Sequence, residues 1–213
     1  MKNSKLRRVL MLAVCAVMLV CLSVGATLAY LTSTDEVKNT FTVGKVAITL
    51  DEAKVTEYGE TVEDADRVKA NDYKLIPGHS YTKDPIVHVA AGSEKCWLFV
   101  KVVNEITAVE ATGDTTIAAQ MKANGWIALA GVDNVYVRAG EDGKETTVPA
   151  STSEQNFTVF EKFVVADNMT NDTLATCAGK TVTITAYAIQ ADGFETANAA
   201  WTALQNATTT VTE

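Results

Sequence analysis

Side chains able to hold a metal or move a proton are few in this chain, and the two histidines, His79 and His88, come first. A zinc-hydrolase helix sets two imidazoles four residues apart on one face in an H-E-x-x-H pattern. His79 sits instead in a Gly78-His79-Ser80 turn, and His88 in an apolar run that reads as a strand. The one metal arrangement left is a mixed site of His79, His88 and Asp84, since strands returning through a turn can converge on a zinc ion. The simpler expectation is a surface His79, a hydrogen-bonded strand His88 and no resident cofactor.

Nucleophile chemistry has less support. Ser80, Ser93, Ser151 and Ser153 lie in no G-x-S-x-G elbow, and neither histidine has a recognisable acid and nucleophile beside it. Asp133-Asn134, Asp167-Asn168 and Asn171-Asp172 could lend oxygens to calcium but lack the spaced ligand ladder of an EF-hand loop, so they read as turns. Cys15 and Cys21 fall in an apolar leader, each after Val, which does not suit lipid attachment. Cys96 and Cys177 are a candidate disulfide that would close 81 residues and stabilise by about 4 kcal/mol in the chain-entropy model. The alternative is two buried free thiols, and both stay open.

The chain has to be exported before any of this matters. Lys2, Lys5, Arg7 and Arg8 precede a stretch from Val9 to Thr34 without a charge, a positive n-region followed by an apolar h-region. Thr27-Leu28-Ala29 places small residues where a signal peptidase reads, so cleavage is expected between Ala29 and Tyr30, with Ala26 second. An uncleaved anchor is the competing reading, because the 23 residues from Val9 to Leu31 suffice to cross about 30 Å of hydrocarbon. Loss of the four basic leader residues takes the net charge from −8 to −12. So acidic a surface disfavours nucleic acid and anionic membranes, leaving the signal peptide as the only expected membrane contact.

Beyond the leader the pattern is that of strands. Thr32 to Asn39 is polar and without a burying period; Phe41 and Val43 then alternate on one register and Val46, Ile48 and Leu50 on the other, with a bend expected at Gly44. Residues 51 to 71 read as a charged loop with room for one short strand, and Leu75 to Gly78 as a turn. A strand follows from Ile86 to Ala90. Cys96 to Val103 carries apolar residues on both faces, which marks a central strand. A short helix is expected over 114 to 124, capped by Asp114. Further strands are expected at Trp126 to Leu129, Val135 to Arg138, Phe157 to Val165 and Lys180 to Gln190. A closing helix places Ala197, Ala200, Trp201 and Leu204 on one face, with Trp201 docked on the sheet.

Short strands between turn signals give an all-β chain, an antiparallel β-sandwich with one interior and one C-terminal helix after an apolar signal helix. The expected division is a signal peptide over 1–29, an N-terminal segment and first strand over 30–50, and the rest of one sandwich over 51–213. A segment freed at its N-terminus and leading into a strand can add to a neighbour's sheet edge, with Phe41, Val43, Val46 and Ile48 as the inserting residues.

Ala29-Tyr30-Leu31-Thr32-Ser33-Thr34-Asp35-Glu36-Val37, then Asn39-Thr40-Phe41-Thr42-Val43-Gly44-Lys45-Val46, resembles the start of the TasA/camelysin family of Gram-positive bacteria. Tyr81 to Pro85 leading into Cys96 to Val102, and Thr185 to Gln190, agree with that resemblance. It implies a jelly-roll, cleavage by a SipW-type signal peptidase, and a secreted or surface-associated subunit of biofilm-matrix fibres that self-associates, alone or with other matrix proteins. The camelysin branch implies the alternative of a secreted zinc metalloprotease. A surface adhesin or ligand-binding module is the second alternative.

Overall fold

The nine residues of β4 (Cys96–Asn104) divide the apolar interior in two. In this computed structural model the described residues are 45–209 together with Arg7, Met11 and Val14. The expected signal helix, the Ala29–Tyr30 cleavage point, Cys15, Cys21, Phe41, Val43 and the Gly44 bend lie outside the described residues. No helix among the described residues is long and apolar enough to cross a membrane.

Among the described residues nine strands form three antiparallel sheets. One is β1 (Ile48–Asp51), β3 (Ile86–Val89) and β7 (Gln155–Thr158), in the order β1-β3-β7. A two-stranded sheet joins β2 (Ser80–Thr82) to β8 (Lys162–Val164). The largest has the order β5-β6-β4-β9, with β5 at Trp126–Ala128, β6 at Val135–Arg138 and β9 at Val182–Gln190. Three helices complete the described chain: α1 (Ile117–Ala123), α2 (Asn171–Ala175) and α3 (Ala197–Thr209).

Alternation along β4 explains the layering. Leu98, Val100 and Val102 enter one core with Val87 and Val89 of β3, so two sheets share one apolar interior in the manner of a sandwich. Trp97 and Phe99 point the other way, into a second core closed by Ala197, Ala200 and Trp201 of α3. The Trp201 ring lies 5.3 Å from Phe99 and 5.2 Å from Tyr187, centroid to centroid, the latter edge-on. The docking expected of this tryptophan is what the structure shows. Val103, expected on the same face as Trp97 and Phe99, is exposed and takes no part in the second core.

Three local expectations need correction. The interior helix is shorter than read: Asp114 belongs to a 3-10 turn, and the N-cap is Thr116, whose hydroxyl accepts from the Ala119 amide at 3.2 Å. Glu110 supports the same helix end by accepting from the Ile117 amide and from Asn104 Nδ2. Phe157 to Val165 is two strands, not one. Val159 and Phe160 are fully buried at the break, where the chain turns from the β3 ladder to the β2 ladder. Ser80, read as part of a turn, opens β2, and Asn171-Asp172, read as a turn, opens α2.

Among the described residues no strand lies between β1 and β2, so the short strand that the loop over 51–71 could have held does not form. The loop is held by bridges between Glu52 and Val68 and between Val55 and Thr61. Gly59 takes φ +78° against Tyr81, where a Cβ would stand 2.6 Å from the tyrosine Cα, so only glycine fits there.

Trp201→Ala empties the contact between α3 and β4. Urea unfolding should show a loss of about 3–5 kcal/mol, and a loss below about 1 kcal/mol would mean that α3 does not close the second core.

Candidate functional site

Two sheet edges come together beside the first core. β1 is the outer strand of its sheet and β9 of the largest sheet. Next to them opens a groove of about 970 Å³, with Leu50, Tyr73, Leu75, Leu174, Val182 and Ile184 among its apolar walls. The inner edge of β9 pairs with β4 over all nine residues, from Val182 opposite Asn104 to Gln190 opposite Cys96. Its outer edge carries no backbone hydrogen bond to another described segment. In an antiparallel strand every second residue turns its N–H and C=O to that free side.

The side chains of β9 match an uncovered edge. Val182, Ile184, Ala186 and Ala188 face the first core yet stay only half-buried. Thr183 and Thr185 are exposed, the wet face expected of the threonine alternation. Farther along, Tyr187 and Ile189 are covered by the second core. Apolar surface and unpaired backbone thus coincide on one strand, which is the chemistry of strand addition.

Val46 and Ile48 lie elsewhere than expected. Ile48 pairs with Val89 of β3, and Val46, Ile48 and Leu50 pack on this chain's own first core. The Ser93 hydroxyl and the Lys45 carbonyl help fix the strand entry, through Ala47 and the Glu94 amide respectively. Any donated segment therefore lies before Lys45, where Phe41 and Val43 fall outside the described residues.

The candidate metal ligands do not converge. His79 Nε2 lies 2.7 Å from the Tyr58 carbonyl, and its ring stands edge-on to Tyr81 at 4.6 Å. His88 lies in the other sheet, where its Nε2 is 3.1 Å from Asp51 Oδ1. Its Nδ1 is 2.7 Å from Asn156 Oδ1 and 3.3 Å from Glu154 Oε1. Asp84 joins this group only through Arg67, which binds Asp51 and also reaches Asp84 Oδ2 at 3.0 Å. A guanidinium thus holds the place between the two carboxylates. Among the described residues no group of three or more His, Cys, Asp or Glu side chains is set to hold a metal ion.

Acceptors on both ring nitrogens suit the imidazolium, which donates from each. Burial lowers the His88 pKa, but hydrogen bonds to Asp51 and Asn156 and the charge of Asp51 outweigh it and leave the value raised. For Asp51, burial raises the pKa, and the bonds from Arg67 and His88 carry it below the usual carboxylate value.

Cys96 and Cys177 are free, buried thiols in the first core, and burial pushes Cys96 up to about 11. Sequence reading missed Arg67, Asp51 and the buried Glu52. The signal open to it was the density of opposite charges within one loop.

Compared with known proteins, the chain matches no family model, no curated protein and no solved structure.

Because the folded His88 pKa is raised, the stability His88 contributes is full below its unfolded value of about 6.5 and fades as pH climbs through the folded value. The thermal midpoint of the wild type should fall on going from pH about 6 to about 8, and His88→Gln should flatten that slope. Equal slopes for both proteins would remove His88 from the pH response.

Proposed function

We propose that this protein is a secreted structural subunit that assembles into extracellular fibres by strand addition. The segment before Lys45 in one copy pairs along the free edge of β9 in the next. The observation that carries this reading is the outer edge of β9, nine residues long, with Val182, Ile184, Ala186 and Ala188 only half-buried beside an apolar groove. So long an edge without a partner among the described residues invites pairing.

Three features support the same reading. Residues 30–44, which follow the expected cleavage point, are enough in number to run along the edge of β9. Their similarity to TasA-type sequences brings with it a jelly-roll order for the sandwich, processing by a SipW-type signal peptidase, and a place in a biofilm matrix with or without other matrix proteins. An acidic surface keeps the subunits soluble until the ribbon is liberated. Before cleavage the donor is attached to the leader, so pairing waits for export. The function needs no cofactor and no catalytic residue.

Light scattering and electron microscopy of mature protein beginning at Tyr30 should show growth into filaments over hours. The same protein lacking residues 30–43 should stay a folded monomer, and filaments of normal yield from that truncation would end the strand-addition account.

A further inference from the structure

Glu52 is the one buried charged residue among the described residues, 4% exposed, and its two carboxylate oxygens bind two different partners. Oε2 accepts from Lys83 Nζ at 2.7 Å, the lysine side chain being itself only 12% exposed. Oε1 accepts from Asn71 Nδ2 at 2.9 Å. One carboxylate thus holds an amine and a primary amide side by side. Asn71 is fixed on its remaining sides: Nδ2 donates to the Ala53 carbonyl at 2.9 Å, and Oδ1 accepts from the Val55 amide at 3.0 Å. Tyr73 shields the amine, its ring 5.7 Å from Lys83 Nζ and its hydroxyl donating to the Thr82 carbonyl.

A nucleophile, an electrophilic carbonyl with a backbone N–H on its oxygen, and a shared proton carrier are the parts of an amide-transfer site. We propose that Lys83 and Asn71 join through an intramolecular isopeptide bond, with Glu52 as the catalytic acid and base. This assignment is independent of fibre formation.

The step balances without a co-reactant. Glu52 takes a proton from the Lys83 ammonium through Oε2, and the freed lone pair forms the Nζ–Cγ bond to Asn71. Negative charge gathering on Oδ1 meets the Val55 N–H. The Cγ–Nδ2 bond then breaks as Glu52 delivers its proton to Nδ2 through Oε1, while the second Nζ proton passes to Glu52. Ammonia departs, taking that last proton as ammonium, and the carboxylate is restored. Nothing is oxidised or reduced. All four residues that hold or shield the reacting atoms (Glu52, Asn71, Tyr73 and Lys83) also line the groove, which gives ammonia an exit. Holding the amine and the amide on one carboxylate supplies the proximity that a bimolecular aminolysis lacks.

Tryptic digestion of the folded, full-length product followed by mass spectrometry tests this directly. Acylated Lys83 resists trypsin, so Ala70–Lys74 should be recovered linked to Leu75–Lys95, lighter than the two peptides together by one ammonia. Glu52→Gln keeps the size and a partner for Asn71 but cannot carry the proton, and should release Ala70–Lys74 and Leu75–Lys83 separately. Lys83→Arg provides a second variant, whose digest should likewise contain unlinked Ala70–Lys74. Free Ala70–Lys74 and Leu75–Lys83 from folded wild-type protein would overturn the proposal. So would an ammonia deficit located at another asparagine.

Discussion

Both apolar cores depend on β4 being apolar on both faces. A strand with one wet face could anchor one core. This one anchors two, because Leu98, Val100 and Val102 serve the space shared with β3 while Trp97 and Phe99 serve the space under α3. Each such side chain contributes about 1.5–3 kcal/mol on burial, and five of them lie on this one strand. Its pairing is uneven. β6 meets it over Phe99 to Lys101 only, whereas β9 follows it from end to end. Among the described residues, the longest ladder therefore ends in a strand with no further partner.

The region from 51 to 84 is organised by different forces. Its anchors are a buried carboxylate binding an amine and an amide, and a surface chain running from His88 through Asp51 and Arg67 to Asp84. The two differ in weight. Exposed pairs are worth about 0–1 kcal/mol, but removing one partner from a buried pair costs about 3–5 kcal/mol because the other charge is left stranded. Glu52 and Lys83, rather than the Arg67 network, set the position of the loop against β1.

Much of this was legible in the sequence where periodicity was strong. The two-faced β4, the β5–β6 hairpin around Gly131, the strand at β9 and the helix carrying Trp201 all follow from spacing and turn chemistry. Legibility failed where local pattern and tertiary pairing diverge. Phe157 to Val165 looks continuous because Phe157, Val159, Phe163 and Val165 share one alternation, yet a buried corner at Val159 and Phe160 sends its halves to different sheets. β2 has three residues and one inward side chain, Tyr81, too little for a periodic signal. The site was less legible still. Phe41 and Val43 read as inserting residues, but the edge proposed to receive them is visible only once β9 is seen to have β4 as its one strand partner among the described residues. The convergence of Glu52, Asn71 and Lys83 spans a loop with no repeating pattern to announce it.

The free side of β9 has a geometric corollary. In the proposed assembly a terminal ribbon meets a strand edge, two unlike surfaces, so the contact would be heterologous and lack a two-fold axis. Joining two molecules uses one ribbon and one edge and leaves one of each exposed, which means that nothing in the joint itself caps the chain. Unless the rotation per step happens to close a ring, the product is an open helix with distinguishable ends, and its length is set by supply rather than by symmetry.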